Sequence, residues 1–201
     1  EAIKDISRLF SRYNDVIMAR LFDHQHIIEL AEYSDIPVIN GLTDYNHPCQ
    51  IMTDIMTVWE HKGNLNDLKI CYMGDGNNIV HSWLQLATKI PIHFVCCGPE
   101  GYEPDTETIK MVKKSGLSSY EFSHDPNSAV KDADVIYTDV WASMGQKEEA
   151  EKREKIFAPY QVNDRLINNT GKDTLFMHCL PAERGREVTD EVMESRNSIV
   201  F

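Results

Sequence analysis

Apolar residues recur along the chain at two spacings, which predict short buried strands in alternation with amphipathic helices. Up to a polar break at residues 63–66, the pattern predicts helices at 1–14, 23–33 and 48–60 and strands at 16–20 and 36–42. The first helix would turn one apolar face toward the rest of the molecule, formed by Ile6, Leu9, Phe10 and Tyr13. The strand at 16–20 is predicted to be buried.

The alternation restarts after residues 63–66, which we take as a domain boundary. The pattern then predicts strands at 68–74, 92–97, 120–122, 133–138 and 174–177, and the start of another at 198–201. A helix is predicted from the turn at 74–78 to about residue 89. Further helices are predicted at 106–114, 148–157, 162–168 and 189–194, with a helical turn after residue 126. Strands that alternate with helices are typical of parallel sheets flanked by helices, so we expect an α/β fold.

The charge balance narrows the classes of partner. The 201 residues include 20 Lys and Arg against 32 Asp and Glu, a formal net charge of −12. This argues against a general affinity for nucleic acid, which clustered cations provide. No apolar run approaches the roughly 18 residues of a membrane span, and the first residues lack the plan of a signal peptide. We expect no nucleic-acid or membrane partner, although a few local cations could still hold a small anion.

The five cysteines indicate a reducing compartment. Their number is odd and the sequence has no Cys-x-x-Cys pair. Cys71, Cys96 and Cys97 lie inside apolar runs, where a buried free thiol is the ordinary expectation. We therefore predict a cytoplasmic chain without disulfides.

The turn at residues 74–79 is the first candidate site. It reads G-D-G-N-N-I after a predicted strand, and its glycines would let the backbone turn tightly at a helix N-terminus that can hold an anion. A dinucleotide fingerprint would place a third small residue where Ile79 stands, which disfavours NAD but leaves it as an alternative. Asn77 and Asn78 could instead cap the helix.

His47 and Gln50 form the second candidate, at the start of a predicted helix whose first turn Pro48 suits. Side chains three residues apart on a helix point the same way, so this pair could hold the carbonyl oxygen and the amide of one ligand. Arg20 ends a predicted strand, and a buried Arg is costly without a partner. It would either pair with an acid such as Asp44 or bind an anion.

Two further stretches follow predicted strands, and ligands of open α/β sheets lie at that edge. Residues 139–145 read D-V-W-A-S-M-G, and an Asp at the end of a strand can face an ammonium group. Residues 177–182 read M-H-C-L-P-A directly after an apolar run. That position makes Cys179 part of a predicted site loop.

Together these stretches resemble the ornithine carbamoyltransferases. The matching motifs are H-P-C-Q at 47–50, G-D-G-N-N at 74–78, D-x-W-A-S-M-G at 139–145 and H-C-L-P at 178–181. They stand in the family's order and approximate spacing over nearly the whole chain. The resemblance implies part of a two-domain carbamoyltransferase fold. Residues 1–62 would form a partial carbamoyl phosphate-binding domain, and residues 65–201 an ornithine-binding domain that lacks its C-terminal end.

The resemblance also implies a reaction: transfer of the carbamoyl group from carbamoyl phosphate to the side-chain amine of L-ornithine, giving L-citrulline and phosphate, with no metal or organic cofactor. It assigns carbamoyl phosphate binding to Arg20, His47 and Gln50. It assigns ornithine binding to Asn78, Asp139, Ser143, Met144, Cys179 and Leu180. Arg20 and His47 would stabilise anionic groups during catalysis, and Cys179, coupled to Asp139, would help to keep the attacking amine deprotonated.

Two motifs that the family carries are missing from this sequence, a Ser-x-Arg-Thr-Arg loop and a late Glu-Asn-Arg stretch that both contact carbamoyl phosphate. We therefore expect a fragment, apparently truncated at both ends, whose carbamoyl phosphate binding is weakened. For the full-length protein the resemblance implies a homotrimer or a multiple of trimers. Arginine synthesis and ornithine-yielding catabolism would use the same residues, so the sequence does not separate them.

Three alternatives stay open at this point. The chain could be a non-catalytic ornithine-binding or assembly fragment of such an enzyme. It could be a NAD-dependent enzyme, on the strength of the glycine turn. It could also be a sibling carbamoyltransferase that uses another amine, although Ser143-Met144-Gly145 argues against that reading.

Overall fold

A computed structural model describes residues 2–142 and 149–201. Seven strands are formed in this part of the chain: β1 Ile17–Arg20, β2 Val38–Leu42, β3 Leu68–Met73, β4 Ile92–Cys97, β5 Ser119–Ser123, β6 Val135–Thr138 and β7 Leu175–His178. The α-helices are α1 Ile3–Phe10, α2 His24–Glu32, α3 Pro48–Lys62, α4 Asn78–Ala87, α5 Thr106–Ser115, α6 Pro126–Ala129, α7 Ala150–Phe157, α8 Asp164–Asn169 and α9 Asp190–Met193. The predicted α/β fold is confirmed.

The larger sheet has five parallel strands in the order β5-β4-β3-β6-β7. The chain builds outward from β3 through β4 to β5, and then returns to the other side of β3 to add β6 and β7. The direction of winding therefore reverses between β3 and β6. In open α/β sheets a crevice forms at such a point beyond the carboxyl ends of the strands, and ligands bind there.

Both faces of this sheet are covered. Helix α4 packs on one face with the buried side chains of Val80, Trp83 and Leu84, against Ile70 and Phe94. Helices α6, α8 and α9 cover the other face. Strands buried on both faces explain the continuous apolar runs of β3 and β6, because a strand with one wet face would alternate polar and apolar residues.

The smaller sheet pairs β1 with β2 in parallel, flanked by α1 and α2. Helix α3 follows β2 and joins the two parts of the molecule. Its residues Ile51, Ile55 and Val58 are buried in the same core cluster as α4 of the larger sheet. The helix ends at Gly63, which adopts φ +76° and so supplies the left-handed C-cap that glycine accepts without strain.

Several expectations about the first unit were wrong in detail. The strand before Arg20 is not buried along its length, because Val16 and Met18 are 48% and 66% exposed. The first helix ends at Phe10, and its predicted apolar face is largely exposed at Leu9, Phe10 and Tyr13. Helix α1 packs mainly against α2, and its amphipathic pattern alone did not fix which of its apolar side chains would be buried.

Two differences also occur in the larger unit. The predicted strand at 198–201 is reduced to a single bridge between Ser198 and Phe176. Helix α8 begins at Asp164 rather than at residue 162, because Val162 bridges Val188 instead. No helix in the described ranges is long and apolar enough to cross a membrane.

Candidate active site

A cavity of about 380 Å³ lies where the carboxyl ends of both sheets meet. This volume falls in the range of small-molecule sites. Strand ends, helix starts and strand-to-helix loops form its lining: Arg20, Leu42, His47, Gln50, Asn78, Ile79, Asp139, Val140, Ala142, Cys179, Leu180 and Pro181. The smaller sheet and α3 contribute one wall, which we call the cation wall. The loops after β3, β6 and β7 contribute the other, which we call the carboxylate wall.

His47 stands at the N-cap position of α3, with Pro48 in the first turn as predicted. Its backbone N–H donates to Oγ of Ser82 on α4 at 2.7 Å, which fixes the start of α3 against the larger unit. Burial, and then the positive charge of Arg20, lower the pKa of His47, so the imidazole is neutral at pH 7. Its buried Nδ1 has no hydrogen-bond partner among the described residues. A neutral imidazole can donate to a ligand oxygen without adding charge to the cavity.

Arg20 carries a full positive charge into the cavity at the end of β1. The predicted alternative of a pair with Asp44 is wrong, since Asp44 instead accepts a hydrogen bond from the His24 N–H at 3.1 Å. No carboxylate of the described ranges lies within ion-pair distance of Arg20. The guanidinium thus keeps its five donors available for an anion.

Gln50 lines the same wall one helical turn into α3. Its Nε2 donates to Oδ1 of Asp54 at 2.9 Å, and Oδ2 of Asp54 accepts from the Tyr137 hydroxyl at 2.7 Å. Asp54 is only 5% exposed, and burial raises its pKa to about 6 although both hydrogen bonds favour the charged form. A hydrogen bond to a buried carboxyl group therefore holds the Gln50 amide in place.

The two asparagines after β3 do different things. Asn77 caps α4, since its side-chain oxygen accepts from the backbone N–H of Ile79 and Val80. Asn78 is not a cap: its Nδ2 donates to the Thr43 carbonyl oxygen at 2.9 Å, across the two parts of the molecule, and its side chain lines the cavity. The capping alternative therefore holds for Asn77 and fails for Asn78.

Asp139 follows β6 and is 7% exposed. Its carboxylate accepts three hydrogen bonds: from Asn77 Nδ2 at 2.9 Å, from the Val140 N–H at 2.8 Å and from the Cys179 thiol at 3.1 Å. These donors fix the orientation of the carboxylate at the topological switch point. They leave acceptor capacity on its oxygens for a ligand cation.

Cys179 is a thiol rather than a thiolate at neutral pH. Burial raises its pKa well above the ordinary value, and the negative charge of Asp139 raises it further. The thiol can therefore donate its proton to Asp139, and it is a weak candidate for a base in the unliganded site. Asp139 is the stronger acceptor of the two.

The backbone of Leu180 is bent into the cavity by its neighbours. Its φ is +55°, a left-handed value that is costly for a residue with a side chain. The Leu180 N–H donates to Nδ1 of His178 at 2.8 Å, and Nε2 of His178 lies 3.2 Å from the buried carboxylate of Glu187. Because Nδ1 of His178 accepts this hydrogen bond, Nε2 carries the ring proton and donates a hydrogen bond to Glu187. This buried pair holds the loop in its strained shape.

Arg153 ties the turn after β3 to the loop after β6. It is 3% exposed, donates from Nε to the Trp141 carbonyl and forms an ion pair with Asp75. Its guanidinium also stacks on the rings of Tyr102 and Phe157. One buried cation thus orients two of the segments that form the carboxylate wall.

The glycines of the turn have a packing explanation. A Cβ on Gly76 would lie 2.3 Å from the backbone nitrogen of Pro104, so only glycine fits there. The buried Ile79 fills the position where a dinucleotide fingerprint would need a small residue. Close backbone packing, rather than a pyrophosphate, accounts for this motif, which weakens the NAD alternative.

The structure brings seven of the nine predicted site residues to one cavity: Arg20, His47, Gln50, Asn78, Asp139, Cys179 and Leu180. Ser143 and Met144 lie outside the described residues. The sequence reasoning missed Asp54, Tyr137 and Arg153, and it gave Asn77 only a capping role. Asp54 was detectable as a lone charge on the apolar face of α3, four residues after Gln50. Tyr137 carries no such signal, because it sits in an apolar strand.

Fold and cavity together define the class of protein: an α/β protein with two parallel sheets and, at their carboxyl edge, a cavity of small-molecule size with a cation on one wall and a carboxylate on the other. Comparisons with known proteins narrow this class. The family profile "Aspartate/ornithine carbamoyltransferase, carbamoyl-P binding domain" matches residues 1–60, and the profile "Aspartate/ornithine carbamoyltransferase, Asp/Orn binding domain" matches residues 66–201. The chain belongs to the aspartate/ornithine carbamoyltransferase family.

Individual relatives agree with this assignment. The chain is 59% identical over its whole length to the chloroplastic ornithine carbamoyltransferase of Pisum sativum, and covers 54% of that protein. It is 54% identical to the anabolic ornithine carbamoyltransferase of Pyrococcus furiosus, of which it covers 65%. The solved structure of ornithine carbamoyltransferase from P. furiosus superposes on the whole chain with a TM-score of 0.93 at 55% identity, and the chain covers 65% of it. The chain thus spans between half and two thirds of the length of these relatives.

Proposed function

We propose that the full-length protein carrying this chain transfers the carbamoyl group of carbamoyl phosphate to the side-chain amine of L-ornithine, giving L-citrulline and phosphate. One observation carries the proposal. A single cavity holds, on one wall, a neutral imidazole and a guanidinium that has no acidic partner among the described residues, and on the other wall a fixed carboxylate beside a thiol. An anionic acyl donor and a cationic amino acid would each find the opposite charge.

The cation wall would bind carbamoyl phosphate. Arg20 has no acidic partner in the described part of the chain, and its fork of donors fits a phosphate group. The neutral His47 would donate a hydrogen bond to the carbamoyl oxygen, where negative charge builds during attack. Gln50 would accept from the carbamoyl NH₂ group. Residues 1–62 would accordingly act as part of the carbamoyl phosphate-binding domain.

The carboxylate wall would bind ornithine. Asn78 and Asp139 would hold its amino-acid end, and Cys179 with the Leu180 carbonyl would lie beside the reacting amine. Ser143 and Met144 are proposed to complete this wall. Residues 65–201 would accordingly act as the ornithine-binding domain.

The chemistry needs a neutral amine. Its lone pair forms a bond to the carbamoyl carbon, the bond from that carbon to the phosphate oxygen breaks and phosphate leaves with the bonding pair. The amine nitrogen loses one proton, which the departing phosphate takes up, so that the products are citrulline and hydrogen phosphate. Positioning of the two substrates and stabilisation of the oxyanion would supply most of the rate enhancement. Because Cys179 is a neutral thiol, it would orient Asp139 rather than take up the amine's proton itself.

A second function is proposed for the 201-residue chain on its own. The carboxylate wall is built by loops of the larger unit, whose sheet is covered on both faces, whereas the smaller unit leaves large apolar side chains exposed. The isolated chain would therefore bind ornithine. We further propose that the full-length protein is a homotrimer or a multiple of trimers, and that it works in the cytoplasm, where the five free cysteines stay reduced.

Citrulline formation by the full-length protein tests the proposal. We expect saturable turnover with carbamoyl phosphate and L-ornithine, and much lower activity with putrescine or L-aspartate in place of ornithine. Titration calorimetry of the isolated chain with ornithine tests the second function. Absence of citrulline from a folded full-length protein would refute the main proposal, and preference for another amine would make it a sibling carbamoyltransferase.

A further inference from the structure

Behind Gln50 lies a series of hydrogen-bonded side chains to which the reaction outlined above gives no role. It begins at the Gln50 amide, passes through both oxygens of Asp54 and ends at the Tyr137 hydroxyl. Gln50 and Asp54 are four residues apart on one face of α3, and Tyr137 lies on β6 of the larger sheet. These hydrogen bonds therefore link the cation wall to β6, the strand that Asp139 directly follows.

Asp54 occupies a costly position. It is 5% exposed on a helix face whose neighbours Ile51, Ile55 and Val58 belong to the apolar core. No cation of the described ranges forms an ion pair with it. A buried carboxyl group without a counter-charge costs several kcal/mol in general, so a leucine or methionine would serve a purely structural role better. Such residues are enriched at functional sites.

We propose that Asp54 is a positioning residue that fixes the orientation of the Gln50 amide for carbamoyl phosphate. An ionised carboxylate only accepts hydrogen bonds, so it can face the NH₂ end of the amide but not the oxygen end. With Nε2 bound to Asp54, Oε1 of Gln50 is the end left for the cavity. The cavity then presents an acceptor to the carbamoyl NH₂ group, and the opposite orientation would present a donor and clash with it.

Tyr137 keeps this arrangement from relaxing. Its hydroxyl donates to the second oxygen of Asp54, so the carboxylate is held at both oxygens and stays in line with Gln50. The hydroxyl also favours the ionised form of Asp54, whose pKa of about 6 would otherwise be higher. Burial raises the pKa of Tyr137 itself well above its ordinary range, so it remains a donor. Among the described residues, the Cys179 thiol also faces Asp54 from another segment of the chain.

The test is a double-mutant cycle in the full-length protein, and it rests on the proposed function. The variants are D54N, Q50A and D54N/Q50A, with E60Q as the control that removes an exposed carboxylate from the same helix. The donors Gln50 and Tyr137 face different oxygens of Asp54, and in an asparagine one of these oxygens is replaced by an NH₂ group that cannot accept. Steady-state kinetics give KM for each substrate and kcat. Citrulline production by the unmodified protein is measured first, so that failure of the proposed function is seen separately.

We expect D54N to raise KM for carbamoyl phosphate about tenfold with KM for ornithine changed less than about twofold, and E60Q to change neither. In the Q50A background, D54N should change KM for carbamoyl phosphate by less than about twofold, because the Gln50 side chain that Asp54 orients is absent. Equal losses in both backgrounds, or equal changes in both KM values, would overturn the proposal and leave Asp54 a structural residue. If D54N does not fold, Y137F replaces it in the same cycle, with a smaller expected rise that must also vanish with Q50A.

Discussion

The two walls of the cavity are built on opposite principles. On the carboxylate wall nearly every polar group is already bound within the protein: Asp139 accepts three hydrogen bonds, Asn77 caps a helix, and a buried His178–Glu187 pair supports Leu180. On the cation wall Arg20 has no acidic partner in the described part of the chain, and the buried Nδ1 of His47 has no hydrogen-bond partner there. One wall is fixed before any ligand arrives, whereas the other keeps donors free.

This difference has a physical reason. A carboxylate at the edge of a buried sheet must be solvated by the protein, or it would take up a proton and lose its charge. A guanidinium at the exposed end of a short strand is solvated by water and needs no such partners. The carboxylate wall therefore depends on its own network for its shape and its charge, whereas on the cation wall the network holds Gln50 and the start of α3 but leaves the Arg20 guanidinium to water or a ligand. Substitutions on the two walls should consequently fail in different ways.

Removal of the Arg20 guanidinium should give the largest effect on catalysis. In the full-length protein, Arg20→Ala should lower kcat/KM for carbamoyl phosphate by about 10³-fold, because the charge-assisted contacts to the phosphate are lost. The melting temperature should stay within about 2 °C of the unmodified protein, since the Arg20 side chain has no hydrogen bond or ion pair to lose among the described residues. Arg12→Ala, an exposed arginine outside the cavity, serves as the control. A thermal shift as large as the kinetic loss would show that the cation wall is structural after all.

Neutralisation of the carboxylate should give the next largest effect, and of a different kind. Asp139→Asn should lower kcat/KM for ornithine by about 10²-fold and also lower the melting temperature, because the amide cannot accept from Asn77, Val140 and Cys179 together. Asp125→Asn provides a matched control, since Asp125 caps α6 and asparagine caps equally well. A kinetic loss without any thermal change would mean that the network around Asp139 does not hold the wall.

The cysteines give a chemical comparison of the two walls within one chain. Cys49 is exposed beside Pro48 on the cation wall side, whereas burial and Asp139 raise the pKa of Cys179. The thiolate is the reactive form, and each unit of raised pKa lowers its population about tenfold below the pKa. At pH 7.5 iodoacetamide should therefore label Cys49 at least about tenfold faster than Cys179, as measured by peptide mass spectrometry. The rate of Cys179 labelling should still be rising with pH at the ordinary thiol pKa of about 8.5, and a rate that levels off near neutral pH would contradict the neutral thiol.

The order of the elements and most of the cavity could be predicted from the sequence, because both depend on local patterns. Apolar runs define β3 and β6, Pro48 marks the start of α3, and polar residues directly after strands must lie at the carboxyl edge of a parallel sheet. Arg20, His47 and Asp139 were proposed from such patterns, whereas Asn78 was assigned to the site by the resemblance to the ornithine carbamoyltransferases. These residues share a cavity because the topology brings their strand ends together.

What the sequence did not reveal depends on contacts between distant elements. The hydrogen bond from Tyr137 to Asp54 joins residues 83 positions apart, and nothing within an apolar strand distinguishes a tyrosine with a partner from one without. The exposure of Leu9 and Phe10 depends on what packs against α1, which periodicity does not report. The packing role of Gly76 depends on Pro104, so the motif alone suggested a phosphate instead.

The smallest effect is expected where the carboxylate wall has a redundant donor. Asn77 both caps α4 and donates to Asp139, and Asn77→Ser should keep the cap but lose the donation, because the shorter hydroxyl still reaches the backbone N–H groups. We expect KM for ornithine to rise only about threefold, with unfolding free energy changed by less than about 0.5 kcal/mol. Asn77→Ala separates the two functions, since it should add roughly 1 kcal/mol of destabilisation with little further change in KM. If Asn77→Ser instead raised KM as much as Asp139→Asn does, the orientation of the carboxylate would depend mainly on this one donor, and the Val140 N–H and the Cys179 thiol would contribute little to it.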